Sequence, residues 1–221
     1  VSGWQIERHS GSAREFHGRE IETVSARTVW VFEPRAMALA LGSTQSIDDV
    51  DMLAADRLGV DVMHRRSGGG AVLIDPGSTL WIDVVIPTDD PLWTSDVSVA
   101  PVWLGRVWAA AIGQVGRDGA VVHEAAMRST HRSGVVCFDG IGPGEVLFSA
   151  KTVGISQRRT RTCARFQTIA LLGWNWQLHR ELLSPGLERV GGASEPVEVS
   201  ALLGLDPDLL REAFLAELDQ V

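Results

Sequence analysis

Lysine is almost missing from this chain. Of its 20 lysine and arginine side chains only Lys151 is lysine, and all the others are arginine. On a wet surface either residue carries charge. Arginine, however, is a planar fork that never loses its proton, and lysine is a compact point charge on a flexible stem. A lone lysine among arginines therefore points to a site that needs a small ammonium. Cysteine is nearly as scarce. Cys137 and Cys163 form neither a disulfide framework nor a zinc site by spacing. Long apolar runs are absent, since no stretch approaches the roughly 18 residues of a membrane helix. The opening VSGWQIERHSGSAREF has no apolar core behind a basic end, so no secretory signal is expected and the cytoplasm is the expected location.

Free positive charge is also in short supply. The net charge of −8 disfavours non-specific nucleic-acid binding. The local exception is Arg158, Arg159, Arg161 and Arg165, which reads either as a solvated edge or as an anion-contacting surface.

What is present fits a folded protein of 221 residues, 45% hydrophobic, with mean hydropathy +0.07. A single domain over 1–221 is expected, with 181–221 as a short C-terminal helical segment and no large accessory domain. Strands are expected at VWVF, MALAL, VDVMHRR, AVLID, LWIDVVIP, GVVCF, EVLFS, KTVGIS and RFQTIALL. The segment SIDDVDMLAADRLG predicts one helix capped by Ser46 and stopped at Gly59, and a second helix ends at Gln114 after starting near Pro101. DPDLLREAFLAEL predicts a third, with Asp206 as cap and Pro207 in its first turn. The fold class is α+β, a mixed, largely antiparallel sheet flanked by helices.

Two segments carry chemistry. In HRRSGGGAVLIDPG, three glycines follow a strand, and without Cβ atoms the backbone can approach a ligand closely. Successive N–H groups there can form a concave anion site, with Arg65 and Arg66 alongside. A glycine-rich hairpin turn would look the same. The turn fits neither a P-loop nor a dinucleotide fingerprint. The second segment, AKTVGISQ, holds Lys151.

Taken together, the ordered elements Leu41-Gly42-Ser43-Thr44-Gln45, Arg65-Arg66-Ser67-Gly68-Gly69-Gly70-Ala71-Val72 with Asp75 and Gly77, and Lys151-Thr152-Val153-Gly154-Ile155-Ser156 resemble the lipoate–protein ligase family and its biotin-ligase relatives. The resemblance implies the catalytic-domain fold of those ligases. It also implies activation of lipoate or octanoate with ATP and Mg2+ to an acyl adenylate. The acyl group then passes to a lysine of a lipoyl carrier domain in a 2-oxoacid dehydrogenase or glycine-cleavage protein. On this resemblance Lys151 is the catalyst, beside the acyl carbonyl and the adenylate phosphate. Arg65, Ser67, Gly68, Gly69, Gly70, Ala71, Val72, Asp75, Gly154 and Ser156 bind the substrate and adenylate, and no protein-bound metal is implied beyond the Mg2+ of ATP. A tunnel of Val, Leu and Trp would hold the acyl chain. Arg158, Arg159 and Arg161, with Arg165, are the expected docking face for an acidic carrier domain.

The chain departs from the family pattern at three places. Ile74 stands where a histidine is usual, His64 replaces the first arginine of the pair, and Phe166-Gln167-Thr168 stands where His-Gly-Ser/Thr is common. The larger ligases carry an accessory domain, which a separate chain would have to supply here. Within the same superfamily, octanoyltransferases take the acyl group from an acyl carrier protein through a cysteine thioester, without ATP. One branch has a Cys-Phe pair shortly before the lysine, as Cys137-Phe138 does here, although that branch has GGR where this chain has Gly68-Gly69-Gly70. Another branch has Pro-Cys-Gly after the lysine, where Ser184-Pro185-Gly186 carries no cysteine. Cys137 thus reads as a thioester nucleophile or as a small buried residue, and Cys163 as structural. The third expectation is a non-catalytic homologue that binds a lipoyl or biotinyl group or a partner protein.

Overall fold

The computed structural model describes residues 3–21, 24–183 and 196–221. Alternating apolar residues make the central strands. In β6 (Thr79–Pro87), Leu80, Ile82, Val84 and Ile86 face one side, and Trp81, Asp83 and Val85 face the other. β6 lies inside a seven-stranded sheet of order β1-β2-β6-β10-β9-β8-β7. Its other strands are β1 (Gln5–Gly11), β2 (Thr28–Pro34), β7 (Val121–Val122), β8 (Val146–Leu147), β9 (Lys151–Arg159) and β10 (Cys163–Leu171). Among the described strands of this sheet only β1 and β2 run parallel to each other, which is possible because helix α1 (Ala13–Gly18) forms the crossover between them.

The first face of this sheet is covered by α3 (Val102–Gln114) and α5 (Pro207–Leu218). Trp108 of α3 and Phe214 of α5 sit with ring centroids 4.3 Å apart, and both are fully buried. The second face meets a small sheet of order β4-β3-β5, made of β4 (Asp61–His64), β3 (Ala38–Leu41) and β5 (Val72–Ile74). α2 (Met52–Leu58) and α4 (Trp176–Glu181) lie on the outside of the small sheet, contributing Ala55, Leu58, Leu178 and nearby Leu182. The molecule is thus four layers deep, with an α+β architecture of two packed sheets flanked by helices.

Several expected elements changed. The single helix from Ser46 is two pieces: Ser46 caps a 3-10 turn at Ile47–Asp49, Val50 is extended, and Asp51 caps α2 anew. The Asp51 carboxylate accepts from Ala54 N, which restarts the helix, and Gly59 ends it at φ +66°. GVVCF is not a strand. Val136 makes a lone bridge to Ala71, and Cys137–Asp139 is a 3-10 turn. β1, α1, β7 and α4 were not foreseen. β1 is a mostly exposed edge of polar residues, and α1 is set by a capping box between Ser12 and Glu15. The C-terminal helix forms as expected, with Asp206 accepting from Asp208 N and Pro207 in the first turn. Among the described residues, no helix is long and apolar enough to cross a membrane.

Candidate functional site

β4 leads into the glycine turn between the two sheets, and the Leu41–Gln45 element supports that turn from behind. Arg65 N–H donates to Leu41 O at 2.8 Å, and Ser43 N–H to Ser67 O at 3.0 Å. A Cβ on Gly42 would strike Gly69 O, so only glycine fits there. Gly69 itself has φ +91°. A Cβ on Gly70 would lie 2.5 Å from Val136 N, because the 135–137 backbone packs directly against it. Arg65 is 6% exposed and staples the turn, donating from Nη1 to Ser67 Oγ and from Nη2 to Gly70 O at 2.9 Å. The same Nη2 lies 3.4 Å from Cys137 Sγ.

Cys137 is held from the backbone. Ala71 N–H donates to Val135 O at 2.8 Å, and Cys137 N–H donates to Ala71 O at 3.0 Å. The half-buried thiol side chain is therefore anchored through Ala71, between the glycine turn and β5.

Lys151 opens β9 and is 2% exposed. Its ammonium donates to Cys137 O at 2.8 Å and to both oxygens of buried Glu145, at 3.0 and 3.1 Å. It also stands 4.9 Å over the Phe138 ring.

These groups line a cavity of about 570 Å³ between the sheets. Of the residues singled out from sequence, the fold brings Arg65, Ser67, Gly68, Gly69, Val72, Cys137, Lys151, Gly154 and Ser156 to its wall. Ser67 Oγ and Ser156 Oγ meet across it at 3.4 Å. Gly70, Ala71 and Asp75 are not on the wall. Gly70 and Ala71 instead carry the 135–137 backbone, and the Asp75 carboxylate accepts from Gly77 N at 3.1 Å within a turn. Ser184-Pro185-Gly186 lies outside the described residues.

The arginine cluster is dispersed. Arg165 is 1% exposed and belongs to the core: it ion-pairs with fully buried Asp83 at 2.6 Å and donates to Phe16 O and Arg19 O. Period-two alternation along β10 sends its side chain inward. Arg158 pairs with Glu20 at 3.2 Å, Arg159 donates to Thr94 O at 2.6 Å, and Arg161 is exposed. Arg66 is a surface residue paired with the other oxygen of Glu20 at 2.7 Å. Cys163 is buried, with Sγ donating to Ile21 O.

Sequence reasoning missed Glu145, His17 and Trp81. Glu145 is a single acid in the otherwise apolar run GPGEVLF, a pattern that hints at a paired buried charge. His17 comes from α1, far from every motif. Its Nδ1 accepts from Gln167 Nε2 at 3.1 Å, leaving Nε2 without a partner, and its ring lies 4.7 Å from that of Trp81. Burial first, and then the charges of Arg165 and Arg65, push His17 down to about 3, so it is neutral at physiological pH. The cavity wall thus regains a histidine near Gln167, where the strand pattern lacks one.

Chemically, the wall sets a buried ammonium and a guanidinium beside a thiol, above an apolar floor of Val72, Trp81, Phe138 and Ile169. Among the described residues, no three His, Cys, Asp or Glu side chains are grouped to hold a metal ion.

Residues 16–206 match the family model described as the lipoyl protein ligase A/B catalytic domain. Among solved structures, lipoate-protein ligase A bound with ATP superposes with a TM-score of 0.73 at 15% identity, over 98% of this chain and 83% of that one. The T. acidophilum protein Ta0514 with bound lipoic acid gives 0.68 at 17% identity, over 98% and 84%. A bi-partite lipoate protein ligase from Thermoplasma acidophilum, described with its E2 lipoyl domain, gives 0.71 at 15%, over 98% and 82%. At these identities the likeness establishes the fold. A sequence search of curated proteins found no match.

Proposed function

Since the chain belongs to the lipoyl protein ligase A/B catalytic-domain family, an acyl-transfer enzyme family, we propose that it attaches a lipoyl or octanoyl group to a lysine of a lipoyl carrier domain. The observation that carries this reading is Lys151. The chain's sole lysine is buried at the wall of a cavity whose floor is apolar and whose rim is polar. A fixed ammonium at that place stabilises the oxyanion that forms when the acyl carbonyl is attacked. Arg65, Ser67 and the glycine turn hold the acyl head, and Val72, Trp81, Phe138 and Ile169 take the chain.

In the first route, the carboxylate of the free acid attacks the α-phosphorus of ATP and releases pyrophosphate. The acceptor lysine's amine then attacks the acyl adenylate and releases AMP. Lys151 and Arg65 supply the protein's cations, and Mg2+ bound with ATP would add charge neutralisation at the phosphates. The ATP-bound ligase neighbour supports this route, and the bi-partite neighbour supports a separate accessory chain. A second route is favoured by the position of Cys137, whose sulfur lies 3.4 Å from Arg65 Nη2 on the cavity wall. There the thiolate attacks an acyl thioester and expels the donor thiol. The acceptor amine then takes the acyl group and frees Cys137.

Intact-mass measurement of a lipoyl carrier domain decides between them. One arm contains octanoate or lipoate with ATP and Mg2+, and the other contains octanoyl acyl carrier protein without ATP. The adenylate route predicts modification in the first arm that survives Cys137→Ser. The thioester route predicts modification in the second arm that Cys137→Ser abolishes. In either route Lys151→Arg is expected to slow transfer about a hundredfold, the scale of losing one preorganised oxyanion donor. An unmodified carrier in both arms, with a candidate accessory chain added, would overturn the reading.

A further inference from the structure

Glu145 belongs to no motif, yet it is the group that Lys151 touches most. Its carboxylate, in a residue 5% exposed, accepts four hydrogen bonds. Two come from Lys151 Nζ at 3.0 and 3.1 Å, one from Gly142 N at 2.6 Å and one from Ile155 N at 3.2 Å. These donors lie in the loop before β8, at the first residue of β9 and in the middle of β9. A buried carboxylate so surrounded is compensated, and one stripped of its cation is not. The ammonium therefore cannot swing away without uncovering a buried charge. Lacking Glu145, the flexible stem of Lys151 would be held, among the described residues, by Cys137 O and the Phe138 ring.

We propose that Glu145 is a positioning residue that fixes the Lys151 ammonium beside Cys137, so that the charge is already in place when the acyl carbonyl arrives. A preorganised charge accelerates because nothing reorganises at the moment of reaction. Glu145 acts through Lys151 and needs no contact with substrate. The inference rests on the acyl-transfer reading. The alternative role is a strut that only closes the Gly142–Glu145 turn, which would bear on stability and leave the lysine's contribution to rate untouched.

Four proteins test this: wild type, Glu145→Gln, Lys151→Met and the double variant. Each is assayed for single-turnover transfer to a lipoyl carrier domain, for octanoate binding by calorimetry and for its urea midpoint. Glutamine keeps the shape and an acceptor but removes the charge. Glu145→Gln is expected to slow transfer about tenfold or more while octanoate Kd stays within about threefold. In the Lys151→Met background the same change should alter the rate by less than about threefold, since residues acting as a unit are not additive. Lys151→Met should unfold at lower urea than wild type, and the double variant should recover part of that loss because no lone buried charge remains. Transfer at the wild-type rate in Glu145→Gln would overturn the inference. So would an equal slowing of wild type and Lys151→Met, or stability losses that simply add. If wild type modifies no carrier in either donor arm, the acyl-transfer reading fails and the inference falls with it. Transfer without coupling defeats the inference alone.

Discussion

At the scale of single residues, the site depends on places where an atom has no room to exist. Gly42 must lack a side chain because Gly69 O occupies the space, and Gly70 must lack one because the backbone of Val136 does. These contacts lock the glycine turn to the Leu41–Gln45 element on one side and to the 135–137 backbone on the other. Gly42→Ala is therefore expected to displace the turn and weaken octanoate binding at least tenfold, with Arg65 losing its fixed orientation; calorimetric titration checks it. The obstruction is backbone, which cannot rotate away as a side-chain tip can. The sequence showed Lys151, Arg65 and the glycines, because compact ammonium, fork and missing Cβ are properties of residue type. Glu145 left only a hint in its apolar run and His17 none, since their importance comes from what tertiary packing brings against them.

Among elements, the β6–β10 pair is joined by an ion pair that is almost wholly closed to solvent. Arg165 of β10 reaches Asp83 of β6 at 2.6 Å with both side chains closed to solvent, and Trp81 Nε1 donates to the same carboxylate at 2.7 Å. Burial pushes the Asp83 carboxyl up, and the Arg165 charge works against that rise. Arg165→Met strands this carboxylate and is expected to cost about 3–5 kcal/mol, measured by urea unfolding. Asp83→Asn with Arg165→Met should restore much of it. The strands and the terminal helix were legible, since alternation and capping are local. Two elements were not. The helix from Ser46 reads as continuous by apolar spacing, and only tertiary contact, Asp51 N–H donating to Leu182 O and Val50 bridging Leu183, breaks it. GVVCF has strand composition, but its backbone pairs with Ala71 at a single point and then turns. Arg165, placed from sequence in a surface cluster, is fixed inward by strand parity, which a charge run conceals.

Over the whole molecule, the central sheet separates a helical face from a cavity face, and two histidines sit outside the helical face, His179 buried and His17 half-buried. Burial pushes His179 down to about 4, and His17 lies at about 3. Unfolded, both return to the ordinary value near 6.5. Between those limits the unfolded chain binds more protons than the native one. Stability therefore falls as pH drops from about 6.5 toward 4, by up to about 1.4 kcal/mol per pH unit for each group. The urea midpoint is expected to fall between pH 7 and pH 5, and to fall less in His179→Phe, which keeps an aromatic ring beside Trp174 and Trp176. A midpoint that is flat across this range would contradict the assignment of both rings as neutral.

The two sheets are also joined at the surface by Glu20, which bridges Arg66, just beyond β4, to Arg158 on β9. Partly exposed ion pairs of this kind hold with only about 0–1 kcal/mol each and weaken as salt is added. Added salt is therefore expected to loosen this contact while leaving the buried Arg165–Asp83 pair in place.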